Sequence, residues 1–320
     1  MNIWGFARAG ALATIVAAIA MFDIAPAFAA EPVYDPQVGS RWMVETEARS
    51  EEVRPDGTAT STIKTRGELT IEQKTANGFR ISYVQRDATV EGNARSVPLS
   101  RAYMKVLENV VIRASTDPSG KPLRIDNLDE AKAAMRGAAS GLVEQFDRRP
   151  ASRALFDQLM SQLVEVDAGS AASVYIDALA ALAVAQNTGM KSGEFRQVTT
   201  PAENPLGGDA LKSTERFELI AADAARLKFV NVTSVDSADM DKFMQSFARS
   251  LLAASGDSVT PDRVRQLVSS MVFSFDKRAE FEVEGGMTRQ VAETSRTVFR
   301  GMEQNLIQTG MRTIVVTPAP

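Results

Sequence analysis

Residues 63–72 alternate without a break. Ile63, Thr65, Gly67, Leu69 and Ile71 lie on one side, and Lys64, Arg66, Glu68, Thr70 and Glu72 on the other. A period of two with one apolar and one charged face predicts an antiparallel strand wetted on one side. Trp42, Val44 and Thr46 alternate with Arg41, Met43 and Glu45 in the same way. Asn77-Gly78 is a hairpin turn signal, and Phe79, Ile81 and Tyr83 follow it with Arg80 and Ser82 between them. A further strand is expected across 106–115. Asp117-Pro118-Ser119-Gly120 then reads as a turn, with a short return strand over 121–125.

The period changes at Asn127. Leu128, Ala131, Met135, Ala138, Leu142 and Phe146 recur at helical steps behind an Asn127/Glu130 capping-box spacing. Pro150 ends that run, and Ser152 caps a second one carrying Leu155, Leu159, Met160 and Leu163. Residues 170–186 are apolar almost all round, with Asp177 the sole charge, which predicts an enclosed helix, the most buried of the protein. Asp177 should then sit at an end or edge of the core. Strands resume near Phe195, 201–209 reads as a loop, and 211–220 and 226–235 pair. Met240, Phe243, Met244, Phe247, Leu251 and Leu252 form a second helical stripe. Thr260-Pro261 opens a short helix with Val264, Leu267, Val268 and Met271. Strands at 273–283, 288–299 and 311–316 finish the chain, the first two joined by Gly285-Gly286.

Strands and helices are thus grouped, not alternated, so a doubly wound parallel sheet is not expected. The predicted class is α+β: a curved antiparallel, half-barrel-like sheet packed around two helical inserts, at about 127–188 and 237–270. No low-complexity linker divides 30–320, which predicts one domain. The N-terminus reads as a signal peptide over 1–29: Arg8, an apolar run at 9–22, and Ala27-Phe28-Ala29 after Pro26. That run is too short to span a bilayer. The expected location is the periplasm, and no later stretch predicts a transmembrane segment.

Composition narrows the chemistry. The chain has 320 residues, no histidine and no cysteine, and a formal charge of −4. A Ser-His-Asp triad, a Cys-His pair, a thiolate cluster, a zinc site on His or Cys and a disulfide are therefore excluded. A mildly acidic, mixed-charge surface argues against nucleic acid. Ser61-Thr62-Ile63-Lys64 matches a Ser-x-x-Lys spacing, but in a strand Ser61 and Lys64 face opposite ways. Asp236, Asp239 and Asp241 resemble a calcium loop, yet the positions that need Gly and Glu hold Asp241 and Phe247, so a charged helix start is the better reading. No catalytic, cofactor or metal residue is assigned, no cofactor is expected, and the chain is read as a non-enzyme. Paired carboxylates acting on cell-wall glycan stay as a remote alternative.

The order of elements over 42–44, 63–71, 79–83 and 110–114, followed by Asp117-Pro118-Ser119-Gly120, resembles the periplasmic lipoprotein-carrier type of fold. It also resembles uncharacterised secreted bacterial proteins of that shape. The resemblance implies a non-catalytic binding or carrier protein for an apolar or lipid-like ligand. The candidate lining residues are Met135, Leu142, Leu179, Leu182, Met240, Phe243, Met244 and Phe247, adaptable side chains on helix faces. The alternative is an envelope interaction protein with a filled core and a protein partner.

Overall fold

The computed structural model describes residues 33–143, 150–202, 211–223, 226–235, 237–255, 259–301 and 304–320. The expected signal peptide, Phe146 and Asp236 lie outside these residues, as does most of the expected 201–209 loop.

Alternating segments become strands, but the strands run well past them. β1 (Arg41–Arg54), β2 (Gly57–Thr75) and β3 (Gly78–Gly92) form a meander. Helix α1 (Val97–Leu107) leads to β4 (Val111–Thr116) and β5 (Pro122–Ile125). The first helical group is α2 (Leu128–Ser140), α3 (Pro150–Val164), α4 (Ala171–Tyr175) and α5 (Asp177–Ala183). A second meander follows, β6 (Phe195–Ala202), β7 (Leu211–Ala222) and β8 (Arg226–Val235). Helices α6 (Ser237–Ser255) and α7 (Pro261–Ser269) precede β9 (Val272–Glu284), β10 (Met287–Gly301) and β11 (Gln304–Pro318).

Among the described residues all eleven strands lie in one antiparallel sheet, ordered β5-β4-β3-β2-β1-β11-β10-β9-β8-β7-β6. The chain starts at the centre, walks outward to β5, crosses through the helices to β6 and walks back until β11 pairs with β1. Every neighbour along the chain is a neighbour in space except β5 and β6, which are the two edges. The sheet is open at that seam.

The fold class expected from the sequence is therefore corrected. The protein is mostly β, with half of its described residues in strand and 29% in short helices. The sheet does not wrap a pair of helical inserts; the helices cap two separate areas of one face. The error has a physical source. Strands β1, β2, β10 and β11 continue through segments polar on both faces, where no apolar alternation marks them. Helix α1 also departs from the expected strand over 106–115, since Val106 and Leu107, which close the helix, read locally as the start of a strand. The helix predicted over 170–186 breaks at Ile176 (φ −137°, ψ 40°) into α4 and α5.

Turns follow the sequence closely. Gly285 and Gly286 both have positive φ, 58° and 81°, as a two-residue turn matching strand twist requires. The Asp117 carboxylate accepts from the amides of Ser119 (2.8 Å) and Lys121 (3.0 Å), closing the predicted turn on itself. Thr260 caps α7 by accepting from the Arg263 amide. Asn127 behaves differently. Its side chain pairs with the β4 backbone at Arg113 N (2.8 Å) and Val111 O (2.9 Å), so α2 starts by stitching itself to a strand.

The main core lies between α1–α5 and one end of the sheet, with Val44, Ile71, Met135, Phe156, Leu163, Ile176 and Phe229 essentially inaccessible. A second, smaller core joins α6 and α7 to Met271, Phe273 and Phe299. The opposite face of the sheet is a lattice of mixed charge. Arg41 meets Glu68 (2.5 Å), Lys64 meets Glu47 (3.6 Å), Arg66 meets Glu45 (3.6 Å), and Lys228 meets Glu282 (2.8 Å). Such a face belongs in water, since the outward band of a membrane barrel is apolar.

Candidate functional site

Pairing register shows what lies between the two cores. Near the α5 end one row of the helix-bearing face reads Thr65, Thr46, Ile314, Val291, Phe281, Phe229, Leu219. The next row reads Ile63, Ala48, Arg312, Glu293, Ala279, Asn231, Phe217. The one after has no apolar side chain: Ser61, Ser50, Gly310, Ser295, Lys277, Thr233, Glu215. Then come Ala59, Glu52, Gln308, Thr297 and Phe275, and beyond them Leu306, in register with Phe299 and Phe273, which pack against the second core. Rows on one face are ~7 Å apart, so a polar belt roughly 14–20 Å wide crosses the sheet between two apolar areas.

The belt is internally bonded. Asp177, the first residue of α5, meets Arg312 of β11 at 2.7 Å. Arg312 also faces Glu293 at 3.6 Å, and Lys277 faces Glu293 at 3.8 Å. Glu293 and Arg312 are the deepest of the four, with side chains 14% and 21% exposed. The Ser50 and Ser61 hydroxyls are 2.9 Å apart. Gly310 keeps the floor low, since a Cβ there would stand 2.6 Å from Ser295 Oγ. Asn231 donates to Glu215 at 3.4 Å, and its buried Oδ1 has no partner among the described residues. Burial raises the pKa values of Tyr83 and Tyr103, and the Asp177 charge raises both further.

Segment α4–α5 covers the apolar rows. Its buried residues include Ala171, Ala172, Ile176, Leu179, Ala181 and Leu182, so it is enclosed as expected, and Asp177 stands at the core edge as expected. Between α5 and the sheet is a void of about 10 Å³ lined by Leu69, Ile81, Leu179, Leu182, Met287 and Gln186, among others. That is room for one water. Gln186 donates to the Ser119 carbonyl (3.1 Å), and its buried Oε1 has no partner among the described residues.

The lining residues chosen from sequence fall into two groups. Met135, Leu142, Leu179 and Leu182 belong to the main core, and Met240, Phe243, Met244 and Phe247 to the second. The polar belt separates them, so they do not line one pocket. The belt itself went unread; its signal is the loss of apolar alternation at Thr46, Ala48, Ser50 and Glu52. Ser61 and Lys64 do point to opposite faces, pairing with Ser50 and Glu47 respectively. Asp239 is buried and accepts from the Lys212 amide (2.8 Å) and the Lys242 ammonium (3.1 Å), pinning α6 to β7. Among the described residues no group of three His, Cys, Asp or Glu is placed to hold a metal ion, and no helix is long and apolar enough to cross a membrane.

No family model matches the chain, and no curated protein matches it. Among solved structures it is similar to a lipovitellin studied for its lipid–protein interactions, at 8% identity and TM-score 0.41, over 89% of this chain and 26% of that one. The chain therefore spans about a quarter of that lipovitellin. It is similar to OprB of Pseudomonas putida at 8% identity and TM-score 0.27, over 87% of this chain and 94% of that one. An outer-membrane channel of Pseudomonas putida F1 follows at 7% identity and TM-score 0.20, over 91% of this chain and all of that one. Similarity this slight transfers neither fold nor function, and the lipoprotein-carrier resemblance has only this loose counterpart.

Proposed function

We propose that this chain is an exported, non-catalytic binding protein of the cell envelope, taking an apolar ligand against the sheet where α4–α5 now lies. One observation carries the reading. The centre of the apolar face is covered not by a long helix but by helices of 5 and 7 residues, whose N-caps make no side-chain hydrogen bond. Helices this short do not hold their shape alone. Alanine makes up much of the segment, and a buried alanine surrenders less apolar contact on release than a leucine. The segment is thus a part of the main core that gives up comparatively little contact for its length when displaced.

A second reading, an interaction protein with a permanently filled core, is favoured by the size of the void beneath α5, which admits a water and not an acyl chain. Hydrogen exchange read by mass spectrometry separates the two. A plug exchanges faster over 171–185 than the β1, β2 and β11 amides beside it, and exchange changes when envelope lipid extract is added. Exchange as slow as in those strands, unmoved by lipid, with no lipid seen by native mass spectrometry, overturns the carrier reading.

A further inference from the structure

We propose that Arg312 is the head-group site for an amphiphile with an oxyanion head, and that in the closed arrangement Asp177 stands there in the head group's place. The proposal rests on α4–α5 being a displaceable plug.

Asp177 is the only charged residue in 170–186, and its partly exposed carboxylate lies on Arg312 at 2.7 Å. Arg312 sits where an amphiphile's head would fall. On one side of its row are Ile314, Val291 and Phe281; on the other are Ser50, Gly310 and Ser295. A tail laid on the apolar rows brings its head to this boundary.

Charge decides which head. With α5 in place, Arg312 and Lys277 are balanced by Asp177 and Glu293. When α5 leaves, Asp177 leaves with it, and two cations face the single carboxylate of Glu293. A half-buried excess of positive charge is costly, so the opened site favours an anion. The guanidinium fork matches a planar carboxylate or a phosphate through two parallel hydrogen bonds. A neutral head leaves Arg312 and Lys277 to share Glu293, which is a penalty against the wrong ligand.

The test uses three probes with one tail: oleate, oleyl phosphate and oleyl alcohol, titrated into the full chain by calorimetry, with stoichiometry from native mass spectrometry. Oleate or oleyl phosphate should bind at least tenfold tighter than oleyl alcohol, and whichever binds tighter names the head. Arg312→Gln should remove that advantage and Arg312→Lys restore part of it. Asp177→Asn should bind the anionic probe several-fold tighter, because the internal competitor is gone. Circular dichroism checks each variant's fold, and Arg312→Lys and Asp177→Asn keep the test open if Arg312→Gln does not fold. Equal binding of all three probes by the native chain and by Arg312→Gln overturns the head-group site and leaves the plug standing. No binding of any probe, with exchange over 171–185 unmoved, overturns both.

Discussion

Thr288, fully buried in β10, donates its hydroxyl to the Leu182 carbonyl of α5 at 2.7 Å. Leu182 lies in the last turn of its helix, where carbonyls have no helical partner, so the strand supplies one. Thr288→Val keeps the shape and removes the donor. It should destabilise the protein by about 1–3 kcal/mol, with Thr288→Ser closer to the native value, as read from urea midpoints. A native-like midpoint for Thr288→Val would mean that the α5 carbonyl finds water instead.

Leu179 and Leu182 are buried between α5 and the sheet. Leu179→Ala or Leu182→Ala should cost about 2–5 kcal/mol by leaving a cavity. Val38→Ala, at a side chain more than half exposed, should cost under about 0.5 kcal/mol. Denaturant titration of all three variants checks the contrast.

All four tyrosines, Tyr34, Tyr83, Tyr103 and Tyr175, are pushed above the ordinary tyrosine value of 10 by burial, Tyr175 to about 12. Raised folded values mean that the unfolded chain ionises first. The stability tied to these neutral phenols is whole below pH 10 and drains as pH climbs from 10 through the folded values. Absorbance at about 295 nm should show little phenolate just above pH 10 in the folded protein, then a cooperative rise with alkaline unfolding. A smooth titration centred near 10 with circular dichroism unchanged would place the phenols in water.

At the acid end Asp239 gives the opposite sign. The Lys212 amide, then the Lys242 ammonium, hold its carboxyl below the usual 3.8. A depressed folded value contributes stability above the unfolded pKa, lost as pH falls through the lower folded one. Asp239→Asn should therefore be less stable than the native chain at neutral pH, and the two curves should converge as pH falls below the ordinary 3.8 and the carboxylate protonates. Parallel curves through that window would mean that the loss comes from packing alone.

How far the sequence carried can be argued from single elements. The alternation from Ile63 to Ile71 announced β2, and Gly285-Gly286 announced the β9–β10 turn, because each signal is held by a few adjacent residues. The all-round apolar character of 170–186 announced burial for the same reason. Helix α1 was missed although Pro98 begins it, since Val106 and Leu107 read equally well as the start of a strand. The candidate lining residues share apolar character on helix faces, yet nothing local tells Leu182 that it shares a core with Met135 and not with Phe243.

The sequence by itself determined which segments are strand-like or helix-like, where most turns fall, and that histidine and thiol chemistry are absent. These are properties of composition and of neighbours a few positions apart. Only the tertiary structure decided that eleven strands make one open sheet with its seam at β5 and β6, and that the helices divide into two caps. It alone set Asp177, Arg312, Glu293 and Lys277 in one chain of charge. In β1, Thr46, Ala48, Ser50 and Glu52 alternate with Glu45, Glu47, Arg49 and Glu51, so both faces are polar and hydrophobicity does not say which turns inward. Register against β2 and β11 settles it, and register is fixed by hydrogen bonds between strands up to 276 residues apart, as at Trp42 and Pro318.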